Sequence, residues 1–286
     1  MKTARCVISA RKLRPAAASR SAVTAAPIIT LLSDFGERDG YVGIVKGVLL
    51  GLCPTVPIID LSHELAPQDV TGGALVLASA VPYFPPRTIH VAVVDPGVGS
   101  SRRPILIETA DFVLVGPDNG LLSLAADRSP LRRVVHLDRP QFHLPAPSGT
   151  FHARDVFAPV AAHCARGVRC AEMGSTLAGF ERLALLEPRR LEDEIEGQVI
   201  HVDRFGNLVS NVRPQDLADF RDRGLSISVC GVQLLEISPH YSAVREGKPL
   251  ALWNSWGRLE IAVRNGSAAR HLRARSGDRV QVKLRK

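Results

Sequence analysis

Asp95 and Arg102 lie close together on Val93-Val94-Asp95-Pro96-Gly97-Val98-Gly99-Ser100-Ser101-Arg102. The mostly apolar run from Ile89 to Val94 predicts a buried strand. An acid followed by Pro and two Gly then forces a sharp turn. Ligands of open parallel sheets gather outside the carboxyl ends of the strands. Asp95 is expected at such an end, with Arg102 returning toward it. A strand, a turn and a surface ion pair would also account for this stretch alone, since Asp-Pro-Gly is itself turn-forming.

Other segments add reactive groups. Asp34 ends the apolar run Ile28-Ile29-Thr30-Leu31-Leu32, in Ser33-Asp34-Phe35-Gly36. His152 lies in Gly149-Thr150-Phe151-His152-Ala153-Arg154, ahead of a helix predicted over 155–164. An aspartate and a histidine can position and deprotonate a water, and an arginine can stabilise the developing hydroxide. Each group has a plainer alternative. His152 can be a helix-entry or core histidine, and Asp34 a turn former. Asp203-Arg204-Phe205-Gly206-Asn207 can be a hairpin turn, because Gly206-Asn207 is turn-prone.

The elements that must carry these groups alternate. Strands are predicted at 28–32, 56–61, 89–94, 104–108, 112–115 and 134–137, with helices at 40–52, 70–81, 121–126 and 155–164. This is the pattern of an α/β domain with a mostly parallel sheet. A charged, Pro-containing run over 187–196 suits a linker. Beyond it, short strands at 198–202, 208–212, 226–229, 250–253, 259–263 and 280–284 predict a small β-barrel or sandwich. The expected organisation is a basic tail over 1–26, an α/β domain over 27–186, a linker over 187–196 and a β-barrel over 197–286.

Composition narrows the class. Of the net charge of +8 on 286 residues, residues 1–26 carry +6 and residues 264–286 carry +7, so 27–263 carry −5. Two basic ends on an acidic body, with little aromatic interleaving, argue against nucleic-acid binding. No apolar run is long enough to span a membrane. The five cysteines are scattered, with no C-x-x-C pair. Free thiols in a reducing compartment are expected, hence a cytoplasmic protein.

Five segments in this order resemble one family. They are Ser33–Gly36, Asp95–Arg102, Gly149–Asp155, Asp203–Asn207 and Asn254-Ser255-Trp256-Gly257-Arg258-Leu259-Glu260-Ile261-Ala262-Val263. Together they resemble the adenosine-forming S-adenosyl-L-methionine (SAM) hydrolases, also called SAM hydroxide adenosyltransferases, relatives of fluorinase and chlorinase. The resemblance covers residues 28–286. It implies an N-terminal α/β domain, a C-terminal β-barrel, and a homotrimer with sites between subunits. It implies attack of water or hydroxide on the ribose C5′ of SAM, giving adenosine and L-methionine without metal or cofactor. The water-activating triad falls on Asp95, Arg102 and His152. The implied substrate contacts are Asp34 to the ribose hydroxyls, Asp203 to the methionine ammonium, Asn207 to an adenine edge and Ser255 to the methionine carboxylate. Glu260 and the Val263 backbone fall on the remaining adenosine positions. Tyr241 either stacks on adenine or packs in the barrel, and Glu260 on strand pattern alone is solvated.

Two departures bear on the resemblance. Ala153 replaces the glycine usual in these hydrolases, which narrows the water site. Trp256 beside Ser255 places a large residue at a pocket rim. Three other readings compete. One is a metal-dependent phosphohydrolase using Asp34, Asp39, His63, Asp69, Asp95 and His152, although no H-x-H, D-x-H or H-E-x-x-H spacing is present. Another is a non-catalytic SAM or adenosine binder. The third is a SAM-dependent halogenase, whose family members lack the Asp/His pair kept here.

Overall fold

The computed structural model of the protein describes residues 27–220 and 224–285. The expected basic tail over 1–26 lies outside the described residues.

The first sheet has seven strands: β1 (Ile29–Ser33), β2 (Ile58–Ser62), β3 (Ile89–Val93), β4 (Pro104–Thr109), β5 (Val113–Pro117), β6 (Leu131–His136) and β7 (Ser175–Leu177), in the order β2-β1-β3-β5-β4-β6-β7. Four of the seven, β2, β1, β3 and β5, run parallel, while β4, β6 and β7 continue the sheet antiparallel. Strands β1 and β3 are buried along their whole length, which is why their sequences read as continuous apolar runs.

Helices cover both faces. On one, α1 (Tyr41–Leu52) and α4 (Ala158–Ala165) pack against Ile29, Leu31, Val91 and Val93. On the other, α2 (Val70–Ala80) and the short α3 (Ser123–Ala126) pack against Leu32, Ala92 and Val94. Burial of Val42, Val45 and Leu49 follows the helical spacing that predicted α1.

The helix expected at 155–164 starts earlier, as a π-helical turn over Ala153–Phe157 that leads into α4. Pro159 accounts for it. Proline has no N–H to return to the Asp155 carbonyl. That oxygen is taken by the Leu144 N–H at 2.9 Å. Single π turns are often found at functional sites, and His152 immediately precedes this one.

The second sheet is barrel-like. Its strands are β8 (Arg189–Arg190), β9 (Glu194–Val202), β10 (Leu208–Ser210), β11 (Leu225–Val229), β12 (Val232–Leu234), β13 (Ile237–Ser238), β14 (Pro249–Trp253), β15 (Leu259–Val263) and β16 (Arg279–Leu284). The order is β12-β11-β16-β9-β10-β15-β14-β13, with β8 on β9. Helix α5 (Ala268–Leu272) follows β15. Leu208, Ile227, Leu259, Ile261, Val280 and Val282 fill the interior.

The expected linker differs from what is found. Strand β8 and the first residues of β9 lie inside 187–196. The acids of this charged run face the basic β16. Glu196 meets Arg279 at 2.7 Å and Glu194 meets Lys283 at 3.2 Å. The two domains touch through Leu75, Ile200 and Val209, with Trp256 packed against them.

Candidate active site

The turn after β3 does what its sequence suggested, and more tightly. Arg102 Nε donates to Asp95 Oδ1 at 2.8 Å, and Nη2 donates to the other carboxylate oxygen. The pair is not a surface ion pair: the side chains are 8% and 6% exposed. Gly99 makes this return possible. Its φ is +80°, and a Cβ there would lie 2.4 Å from the Gly149 carbonyl oxygen. The Asp95 loop and the loop leading to His152 are therefore in backbone contact, and only glycine fits between them.

The same guanidinium holds the histidine. Arg102 Nη2 lies 3.0 Å from His152 Nδ1. Arginine can only donate, so Nδ1 is the acceptor and the neutral ring carries its proton on Nε2. Burial, and then the Arg102 charge, hold His152 below its ordinary pKa, against the opposing pull of Asp95 and Asp155. The Phe157 ring lies under the guanidinium at 5.5 Å. Arg102 Nη1 is buried without a partner among the described residues.

Asp95 and His152 line an open cavity of about 380 Å³ together with Asp34, Gln68, Phe151 and Ala153. Arg102 stands behind them rather than on the cavity wall. Asp34 accepts from the Gln68 N–H at 2.8 Å. Phe35 and Phe151 on this wall pack with Tyr41 in an aromatic cluster, with centroids 5.3–6.0 Å apart. Ala153 is buried, so its methyl group occupies wall volume. Gln68, at φ +67°, and the three aromatic rings were not singled out from the sequence. Phe35 and Phe151 lie inside the Asp34 and His152 motifs, next to the two charged groups, and that adjacency was the available signal.

The remaining expected residues gather in the barrel domain. Asp203, Tyr241, Ser255 and Glu260 line a second cavity of about 460 Å³. The solvated alternative for Glu260 is overturned, because the residue is 3% exposed and accepts from the Tyr241 hydroxyl at 2.8 Å. Burial raises the pKa of both groups. Asp203 and Asn207 form a turn of their own. Asp203 accepts from the backbone N–H of Phe205 at 2.9 Å and of Asn207 at 2.8 Å, and from Asn207 Nδ2 at 2.9 Å. Val263 is buried at the end of β15 and does not line this cavity. Trp256 is more than a rim residue, since it packs between the domains with its ring 5.4 Å from that of His201.

The residues of the metal reading do not converge. Asp69 caps α2 through the Gly72 N–H at 2.8 Å, and His63 turns toward Ser33 and Asp60. Among the described residues, no group of three or more His, Cys, Asp or Glu side chains is arranged to hold a metal ion. No described helix is long and apolar enough to cross a membrane. Cys53, Cys164, Cys170 and Cys230 are free thiols.

An α/β domain with charged groups at its strand ends, followed by a barrel with a second polar cavity, defines a two-domain enzyme-like architecture. Residues 29–174 match the SAM hydroxide adenosyltransferase N-terminal domain, and residues 197–281 match its C-terminal domain. The chain belongs to this family. It is 40% identical over 261 residues to the (R)-S-adenosyl-L-methionine hydrolase of Thermus thermophilus, covering 89% of this chain and 98% of that one. A fluorinase from Nocardia brasiliensis is 28% identical, covering 90% and 97%. The crystal structure of an uncharacterized conserved protein from Thermotoga maritima superposes with a TM-score of 0.83 at 34% identity, covering 90% and 100%.

Proposed function

We propose that the protein hydrolyses SAM to adenosine and L-methionine. The observation that carries this reading is the Asp95–Arg102–His152 unit, whose Asp95 and His152 line the cavity that also holds Asp34. The leaving group is already activated, because the sulfonium departs as a neutral thioether. The protein must supply a nucleophile in line with C5′.

The tautomer of His152 supports a division of roles. Its Nε2–H holds the water oxygen as a donor, and Asp95 accepts the proton through lone pairs left free by Arg102. The water oxygen bonds to C5′ as the C5′–S bond breaks, its electron pair stays on sulfur, and the water proton leaves by way of Asp95. Arg102 acts from behind by fixing both groups. Such positioning can contribute roughly 7–11 kcal/mol in favourable cases. Charge is neutralised as the hydroxide-like oxygen meets the sulfonium, so a cavity that sheds water favours the reaction.

In this reading Asp34 takes both ribose hydroxyls, Asp203 the ammonium, Asn207 an adenine edge and Ser255 the methionine carboxylate. Glu260 and the Val263 backbone complete the adenosine contacts, with the Tyr241 ring against the base. The two cavities share no lining residue. This supports a site completed by two copies of the chain in a homotrimer, one giving the Asp34 half and the other the Asp203 half. No cofactor is required.

The test is incubation of purified protein with SAM, with and without chelator, chloride and fluoride, followed by chromatography. Adenosine formed in every condition is the expected result. A halonucleoside, or activity abolished by chelator, overturns the scheme.

A further inference from the structure

His63 has no part in the chemistry above, yet it is buried and hydrogen-bonded through both ring nitrogens. Its Nδ1 lies 2.7 Å from the buried Ser33 hydroxyl, and its Nε2 lies 3.0 Å from Asp60 Oδ1. Asp60 also accepts from Lys46 Nζ at 2.5 Å. With the Nε2 proton donated to Asp60, Nδ1 accepts from Ser33. The donors thus run outward from the Ser33 hydroxyl at the end of β1 through His63 to Asp60, which also accepts from the partly exposed Lys46.

A break in strand register makes this possible. Leu31 pairs with Asp60 but Leu32 pairs with Ser62, so β2 carries one extra residue at Leu61. In a regular strand, residues 60 and 63 would point to opposite faces. The bulge re-aims them to the same side.

The result brackets Asp34. Ser33, on one side, is held by the His63 ring. Gly36, on the other, donates its N–H to the His63 carbonyl at 2.8 Å. We propose that His63 is a positioning residue that fixes the Asp34 carboxylate for the ribose. This rests on the role given to Asp34 under the proposed function.

The full chain is titrated calorimetrically with adenosine and with 2′-deoxyadenosine. Wild type is expected to prefer adenosine by roughly tenfold or more, as for a hydrogen bond to a charged group. His63→Gln, whose amide falls at the Nε2 position, keeps Asp60 but loses Ser33. It is expected to lose most of that preference and to raise the KM for SAM more than it lowers kcat. His63→Asn, whose amide falls at the Nδ1 position, keeps the Ser33 bond and is expected to retain the preference. If His63→Gln fails to fold, Ser33→Ala removes the same bond and is expected to show the same loss. A wild type indifferent to the 2′-hydroxyl overturns the role of Asp34 itself. A discriminating wild type with an equally discriminating His63→Gln, or His63→Asn failing as His63→Gln does, overturns the proposal while leaving Asp34 in place.

Discussion

The Asp95–Arg102 pair is buried deeply enough that its two halves should not be removable one at a time. Asp95→Ala would strand a guanidinium that is 8% exposed and has lost its two carboxylate contacts, keeping only His152 and the Phe157 ring. Breaking a buried pair from one side costs about 3–5 kcal/mol, whereas replacing both partners by apolar groups is often near neutral. Total stabilities are only about 5–15 kcal/mol, so Asp95→Ala is expected to lower the urea midpoint severely. Arg102→Met should do likewise, because it leaves an unpaired buried carboxylate. The double variant Asp95→Ala/Arg102→Met is expected to recover about 2–3 kcal/mol relative to the sum of the singles. Urea denaturation of the four proteins at pH 7 closes the cycle. Single losses under about 1 kcal/mol that simply add would refute the reasoning, since that is how exposed pairs behave. The chemical role of Asp95 is better probed by Asp95→Asn, which keeps the shape and should cost about 10²-fold or more in turnover.

Three further outcomes follow from particular groups. Because His152 works neutral and its pKa is held below 6.5, kcat/KM should fall on the acid side with a midpoint below 6.5. A pH–rate profile with a higher midpoint would contradict the Arg102–Nδ1 assignment. His90 is buried between the Phe84 and Phe112 rings with its pKa depressed to about 4 from 6.5, by burial. The fold favours the neutral ring, so this contribution is complete above pH 6.5 and is lost as pH falls toward 4, a total of about 3 kcal/mol. His90→Leu should flatten that part of the stability–pH curve measured by chemical denaturation, and an unchanged slope would show that His90 is not its source. Ala153→Gly removes a buried methyl group from the cavity wall. It should raise kcat while costing up to about 1 kcal/mol in the helical turn, and a fall in kcat would mean that the methyl group does not crowd the water.

Much of the site was legible because its positions are punctuated. Asp34 and Asp95 each end an apolar run, and glycine or proline follows, so strand end and turn coincide in the sequence. Asp203–Asn207 reads either as a turn or as a contact, and its hydrogen bonds make it a turn whatever else it does. What the sequence concealed depends on pairing between distant segments. The register break opposite Leu31 that turns His63 inward is set by two strands together. The π turn depends on a Leu144 N–H arriving to satisfy Asp155, an event no local pattern announces. The acids at 194 and 196 read as part of a charged linker because their cationic partners lie on β16, far along the chain. Ala-rich and apolar periodicity gave α1 and α2 nearly to the residue, but β12, β13 and α5 are too short to carry a period.

The position of β16 has a consequence for how the protein is made. It comes last in the barrel's chain order, yet it lies between β9 and β11. Gln281 reaches Glu194 across 87 residues. During synthesis the α/β layer can close around β1, β3 and β5 while the barrel still lacks a middle strand. The Asp95 cavity is thus framed well before the Glu260 cavity. Until residues 279–284 emerge, the nascent chain carries β9 and β11 with unpaired edges, which is the interval in which a holdase or a neighbouring nascent chain would compete for them.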